Sequence, residues 1–369
     1  MSILTTQLSM PRLPGVKLPS RPSRPARSRR SATVTGLEIG ATQAIAAQSS
    51  VQDGRIVVQR AEIRPFPLGL MRDGLVVDAD GLAHELKEMF AEHKLPKAVR
   101  VGLATPRTVL RVIDLPPLDE KDIRAALMMQ AQERIPMPLD RAVMDFQTVG
   151  LVDTPEGRRL RVIVVVTERE GVETLLDALR RAGLKPAGID LSIFAVIRAL
   201  RVSPQASGSI LYAQLGDLAN IAIAESGVCR FTRQAPQGLA LLLERAAENL
   251  AIPVEEALEL VRRAGTLPDA ERDDSDDAVA RIIERTASEL GSELRAAAEF
   301  YSHQFGGEPV TTGIVAGPLA PLPGFVSALA AASGLALTAG EVATADSAGD
   351  IDARLAPLAG GLAVGELAS

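Results

Sequence analysis

The sequence predicts a mixed α/β protein built as two similar halves with a cleft between them. Strand-like apolar runs alternate with amphipathic helical stretches along the body of the chain. Two segments, Gly36-Leu37-Glu38-Ile39-Gly40-Ala41-Thr42 and Tyr212-Ala213-Gln214-Leu215-Gly216-Asp217-Leu218, share a strand, glycine turn, strand layout. Hydrophobic residues make up 47% of the 369, enough for a sizeable core. Aromatics are only 3% and Trp is absent, so that core is built from Ala, Val, Ile and Leu. The same scarcity argues against an aromatic platform for single-stranded nucleic acid.

The elements follow in order. Residues 1–32 read as a disordered basic arm rich in Pro and Ser. Its first 30 residues carry seven Lys/Arg and no acid, which leaves 33 basic and 46 acidic residues in an acidic body. That balance is unlike a duplex-DNA reader. The arm lacks the apolar stretch of a secretory signal. It reads either as weak attraction to anionic lipid headgroups or as a solvated tail or misassigned start. Thr33–Ile39 and Ala44–Gln48 flank Gly40, and an Asp53-Gly54 turn leads into Arg55–Gln59, a hairpin signature. A helix over Ala79–His93 and a strand at Val99–Leu103 follow.

Thr108–Leu115 reads as a strand ended by Pro116-Pro117. Asp119 is placed to cap a helix to Ile135 with Ile123, Leu127, Ala131 and Ile135 on one face, ended by Pro136 and Pro138. Val143–Val149 and Leu160–Val166 read as strands, the run Val162–Val166 as buried on both sides. Thr167-Glu168-Arg169-Glu170 fits a capping box for a helix burying Val172, Leu175, Leu176 and Leu179 and closed by Gly183. The second half predicts strands at Ile210–Leu215, Asn220–Glu225 and Val228–Arg233, then helical regions over Gly238–Ala264 and Ala278–His303. The acidic run Asp269–Asp277 between them reads as an exposed loop. Pro309–Gly340 has no charge, but its prolines and glycines predict strand, loop and helix rather than a membrane span.

One cysteine, Cys229, excludes an internal disulfide and any multi-cysteine metal site. His84, His93 and His303 share no metal-ligand spacing and read as structural or surface residues. The cleft between the halves is the default ligand site.

The duplicated glycine hairpins are similar to those of the actin/sugar-kinase/Hsp70 superfamily. There they clamp the phosphates of ATP, because backbone N–H groups approach phosphate only where no side chain intervenes. A more specific resemblance rests on Leu115-Pro116-Pro117-Leu118-Asp119, on Glu133, Ile135, Pro136, Pro138, Leu139 and Asp140, and on Asp145-Phe146-Gln147. Gly183-Leu184-Lys185-Pro186-Ala187-Gly188-Ile189-Asp190 continues it. These segments resemble the PilM family of type IV pilus assembly proteins. The resemblance implies a duplicated actin-like (ribonuclease H-like) fold with an inserted strand-helix-strand-strand subdomain of the SHS2 type, arranged as in FtsA. It places the first lobe at 33–103, with a return segment 184–207 and the C-terminal 340–369. It places the inserted subdomain at 104–183 and the second lobe at 208–339. It further implies a cytoplasmic protein, peripheral on the inner face of the membrane through its partner. That partner is the N-terminal peptide of a PilN-like bitopic membrane protein, held in a groove between the first lobe and the inserted subdomain. Self-association is left open.

The family's nucleotide site would fall on Glu38, Gly40, Ala41, Thr42 and Gln43, on Gln214, Gly216, Asp217 and Leu218, and on Gly317 and Pro318. This chain departs from the pattern. Glu38 replaces the first aspartate, Ile45 stands at the lysine position, and Gln214 stands where an Asp positions Mg²⁺. Asp217 compensates only if it points inward. These losses leave ATP binding through backbone donors possible and Mg²⁺ open, and they predict hydrolysis that is very slow or absent. A scaffold without catalysis is thus the reading favoured over a small-molecule kinase or an FtsA-like filament protein.

Overall fold

The computed structural model describes residues 34–135, 137–155, 157–201, 208–264, 271–305, 309–349 and 351–365, so the basic arm lies outside it. β1 (Thr35–Ile39) and β2 (Gln43–Gln52) form the first hairpin, and β3 (Arg55–Pro65) follows. Asp53 and Gly54 between β2 and β3 have φ of 49° and 75°, the left-handed geometry of a tight two-residue turn. A short ribbon, β4 (Met71–Arg72) and β5 (Leu75–Val76), leads to α1 (Ala79–Glu92) and β6 (Ala98–Leu103). β7 (Thr108–Leu115), α2 (Glu120–Arg134), β8 (Ala142–Thr154) and β9 (Gly157–Glu168) form a strand-helix-strand-strand unit. α3 (Arg169–Arg181), β10 (Lys185–Leu191) and α4 (Ser192–Ala199) come next.

The second half holds β11 (Ser209–Leu215), β12 (Ala219–Glu225), β13 (Val228–Ala235), α5 (Leu239–Leu250), α6 (Val254–Ala264) and α7 (Asp274–Phe305). β14 (Thr312–Ala316), α8 (Phe325–Ser333) and β15 (Ala336–Ala339) complete it. The chain then crosses back as β16 (Ala343–Thr344) and α9 (Pro357–Val364).

The duplication is visible in the pairing. The first sheet runs β10-β6-β1-β2-β3-β16 and the second β13-β12-β11-β14-β15. β1 pairs antiparallel with β2 and parallel with β6, and β11 repeats this with β12 and β14. Strand alternation then sorts the cores. In the first sheet Leu37, Ala44 and Ala46 face α1 and α3. Ile45 and Ala47 face the other way, toward α9. In the second sheet Leu211, Ala213 and Leu215 lie under α5, α6, α7 and α8. Tyr212, Ala222 and Ala224 meet α4 and α9 on the opposite face. α4 and α9 thus form the layer between the two sheets. Gly361 allows their close crossing, since a Cβ there would lie 2.0 Å from Ala195 O.

The inserted sheet is antiparallel in the order β7-β9-β8. α2 packs Ile123 and Leu127 on Val162, Val164 and Val166, while Val165 joins the core around α4. Both faces of β9 are therefore buried, as its apolar run predicts. α3 packs with α1 in the core of the first sheet, although the sequence reading counts it within 104–183.

Three local readings are corrected. The capping box does not form, because β9 runs on to Glu168 and takes Thr167 into the ladder opposite Thr108, their hydroxyls 3.0 Å apart. Glu168 becomes the N-cap without a side-chain bond. The helical region 238–264 is broken, because Ala251 adopts φ 53° and Pro253 follows. The acidic run is not all loop. Asp273 Oδ1 accepts the N–H groups of Ser275 and Asp276 at 2.9 Å each, which starts α7 at Asp274. Asp276 is buried against Arg263 Nε at 2.7 Å. Among the described residues no helix is long and apolar enough to cross a membrane.

Candidate functional site

Two turns build the cleft. Gly40 N–H donates to Gln43 O at 2.9 Å and closes the turn between β1 and β2. Gly216 N–H donates to Leu218 O at 3.2 Å and closes the one between β11 and β12. The second turn is also fixed from behind. Leu239 and Ala240, at the N-terminus of α5, donate to Gly216 O at 2.8 Å and Asp217 O at 3.3 Å. Gly238 permits that approach, since a Cβ there would lie 2.3 Å from Asp217 O. The turns face each other, and Ala41 N–H donates to Asp217 Oδ2 at 2.9 Å. Glu38, Gly40, Gln214, Gly216, Asp217 and Leu218 line one cavity of about 50 Å³.

A polar row crosses the second sheet into this cavity. Gln214 pairs with Asn220, and Asn220 with Gln234, on adjacent strands. Gln234 Nε2 donates to Asn220 Oδ1 at 2.7 Å, and Asn220 Nδ2 to Gln214 Oε1 at 3.0 Å. Gln214 Nε2 then donates to Glu38 Oε1 at 3.5 Å. The second oxygen of Glu38 is buried with no partner among the described residues. Burial, and secondarily the Asp217 charge, pushes Glu38 up to about 8. Burial pushes Asp217 up to about 6 against the opposing Ala41 bond, and Asp73 adds to the rise. Glu38 therefore holds its proton at neutral pH, and Gln214 offers no charge.

The other expected site residues are spread around the cleft. Ala41 contributes its N–H, Thr42 is buried with its carbonyl accepting from Phe66 N–H at 2.8 Å, and Gln43 opens β2. Gly317, at φ 104°, lies against β11, where a Cβ would be 2.6 Å from Leu215 O. It and Pro318 are outside the cavity lining. Ile45 is buried in the core under α9. Asn220 and Gln234 were missed by sequence reasoning, although a polar residue at the register position of Gln214 on successive strands is a legible signal. Of the signature residues, Ile135 is buried under α2, Pro116 and Pro138 are exposed, and Asp145 and Gln147 are half-buried on β8. Pro136 and the side chains of Glu133 and Leu139 lie outside the described residues.

Small-molecule sites enclose roughly 300–1,000 Å³. The cavity between the two turns is smaller than that, and Ala41 N–H of the first hairpin is taken by Asp217. Among the described residues no group of three or more His, Cys, Asp or Glu is placed to hold a metal ion.

The fold is shared with solved proteins. A structure of a PilM-PilN type IV pilus biogenesis complex is similar with TM-score 0.76 and 24% identity, over 90% of this chain and 98% of that one. The ethanolamine utilization protein EutJ of Carboxydothermus hydrogenoformans gives 0.53 and 16%, over 90% and 89%. MreB 5 of Spiroplasma citri bound to AMPPNP gives 0.50 and 11%, over 90% and 96%. These likenesses establish the actin-like ATPase fold. The family described as Type IV pilus assembly protein PilM matches residues 36–343, and the chain belongs to that family.

Proposed function

We propose that this protein is a non-catalytic scaffold of a pilus assembly platform and docks the N-terminal cytoplasmic peptide of a PilN-like single-span membrane protein. The observation that carries this reading is the inserted unit of a PilM-family chain. Its helix α2 leaves Met128 and Met129 40% and 76% exposed, and Leu118 before it is also exposed. Flexible methionines suit an apolar anchor of a partner peptide. These methionines lie on the α2 side of the inserted sheet, where we place the anchor site; Val143, on the sheet's opposite face, is where β8 packs against the first lobe's core. Membrane residence then comes through the partner. ATP, if it binds, is held by the backbone of the two turns with little need for Mg²⁺, and turnover is negligible, because Gln214 is neutral and Glu38 is protonated.

A synthetic N-terminal peptide of the PilN-like protein, titrated against the full chain by fluorescence polarisation, tests docking. Met128→Asp with Met129→Asp should weaken binding at least tenfold, about 1.4 kcal/mol, with little change in Tm because both side chains are exposed. Undiminished binding moves the groove elsewhere on the surface. Failure of any single-span protein to co-purify from membranes removes the scaffold reading.

A further inference from the structure

Asp217 is aimed by fixed backbone. The two carbonyls of its turn are tied to the start of α5, so its side chain projects from an anchored point toward the first lobe. Its Oδ2 accepts Ala41 N–H at 2.9 Å across 176 residues of sequence. That N–H belongs to the glycine turn whose free backbone donors would otherwise be open to an anion. Closure also depends on its neighbours. A carboxylate at position 214 would add a third acid to a cavity already lined by Glu38 and Asp217. Gln214 instead donates to Glu38, and Asn220 holds the amide in that orientation. The substitution that removes a metal partner therefore also permits the turns to close on each other.

We propose that Asp217 is a built-in occupant of the phosphate position, so that a nucleoside triphosphate enters only by displacing its carboxylate from Ala41 N–H. This rests on the reading of the cleft as a nucleotide site. The resting state is then a cleft shut by the protein's own anion, and the position that holds a γ- or β-phosphate oxygen in an open cleft holds Asp217 Oδ2 here.

The full chain, titrated with ATP and magnesium by calorimetry, tests this with wild type, Asp217→Ala and Asp217→Asn. Asp217→Ala should bind ATP at least tenfold more tightly than wild type. Asp217→Asn keeps an acceptor oxygen and the side-chain shape but loses the charge, so its affinity should fall between the two and it serves as the folding control. If wild type binds and Asp217→Ala gains nothing or weakens, the plug is overturned while the nucleotide reading stands. If no form binds ATP, the nucleotide reading falls and the plug with it. Hydrogen exchange without nucleotide reads the contact directly. The amide of Ala41 should exchange at least tenfold faster in Asp217→Ala, and unchanged exchange there overturns the proposal.

Discussion

Folding takes the Glu38 and Asp217 carboxyls out of water, and the charged form of each loses most by it. A carboxyl whose pKa rises on folding stabilises fully below its unfolded value and loses that contribution as pH rises through its folded value. For Glu38 the window runs from 4.5 to about 8, and for Asp217 from 3.8 to about 6. Stability should therefore decline from weakly acid to weakly alkaline pH, by roughly a few kcal/mol in all. Glu38→Gln cannot ionise, so it should flatten the decline between pH 6 and 8 and leave only the Asp217 share of it at more acid pH. Urea midpoints of both forms at pH 5.5, 7 and 8.5 check this, and parallel slopes above pH 6 would show that Glu38 does not titrate there. The chemistry of this pair was only half legible in the sequence. The types Glu38 and Gln214 announced a weakened metal site. The direction of Asp217 did not follow, because its partner is a backbone N–H on the other lobe.

Elements were legible where local chemistry and tertiary pairing agree. Asp53-Gly54 and Ser226-Gly227 each supply two consecutive left-handed residues, and the flanking strands meet across them. The reading failed where one residue had two competing offers. Thr167 has the chemistry of a helix cap, yet the ladder opposite Thr108 claims it. The start of α7 was hidden for a related reason, since acids that look solvated in sequence serve as first-turn partners for backbone N–H groups and for Arg263. The α4–α9 layer was the least legible, because α9 is small, apolar and far in sequence from what it covers. Its tightest point is Gly361, where Gly361→Ala drives a methyl into Ala195 O. That substitution should lower stability by roughly 1–3 kcal/mol, read as a fall in the urea midpoint with unchanged m. An unchanged midpoint would mean that α9 shifts freely on α4.

At the scale of the molecule, the proposed scaffold has two rival sources of membrane attraction, the seven Lys/Arg of the first 30 residues and the proposed partner peptide. A basic residue held at an anionic surface contributes up to about 1 kcal/mol, but salt screens it over about 8 Å. Apolar anchors in a groove resist salt. Removing residues 1–30 should therefore leave the protein largely with the membrane fraction, and loss of the PilN-like partner should release it. Fractionation of both strains at low and high salt decides this, and release by the deletion alone at low salt would make the arm the anchor.

The return of the chain sets an order of events during synthesis. β1, near the start, lies against α9, near the end, and Arg100 donates to Leu362 O across 262 residues. On the ribosome the first sheet must wait, with the face that bears Ile45, Ala47 and Val58 uncovered, until residues 357–364 have left the exit tunnel. The second sheet pairs only strands between 209 and 339, so its ladder can form earlier, although its face bearing Tyr212 and Ala222 also waits for α9. The amino-terminal sheet is thus the later to complete its ladder, since it takes β16, and until α9 emerges the nascent protein carries open apolar sheet faces that suit holding by a chaperone.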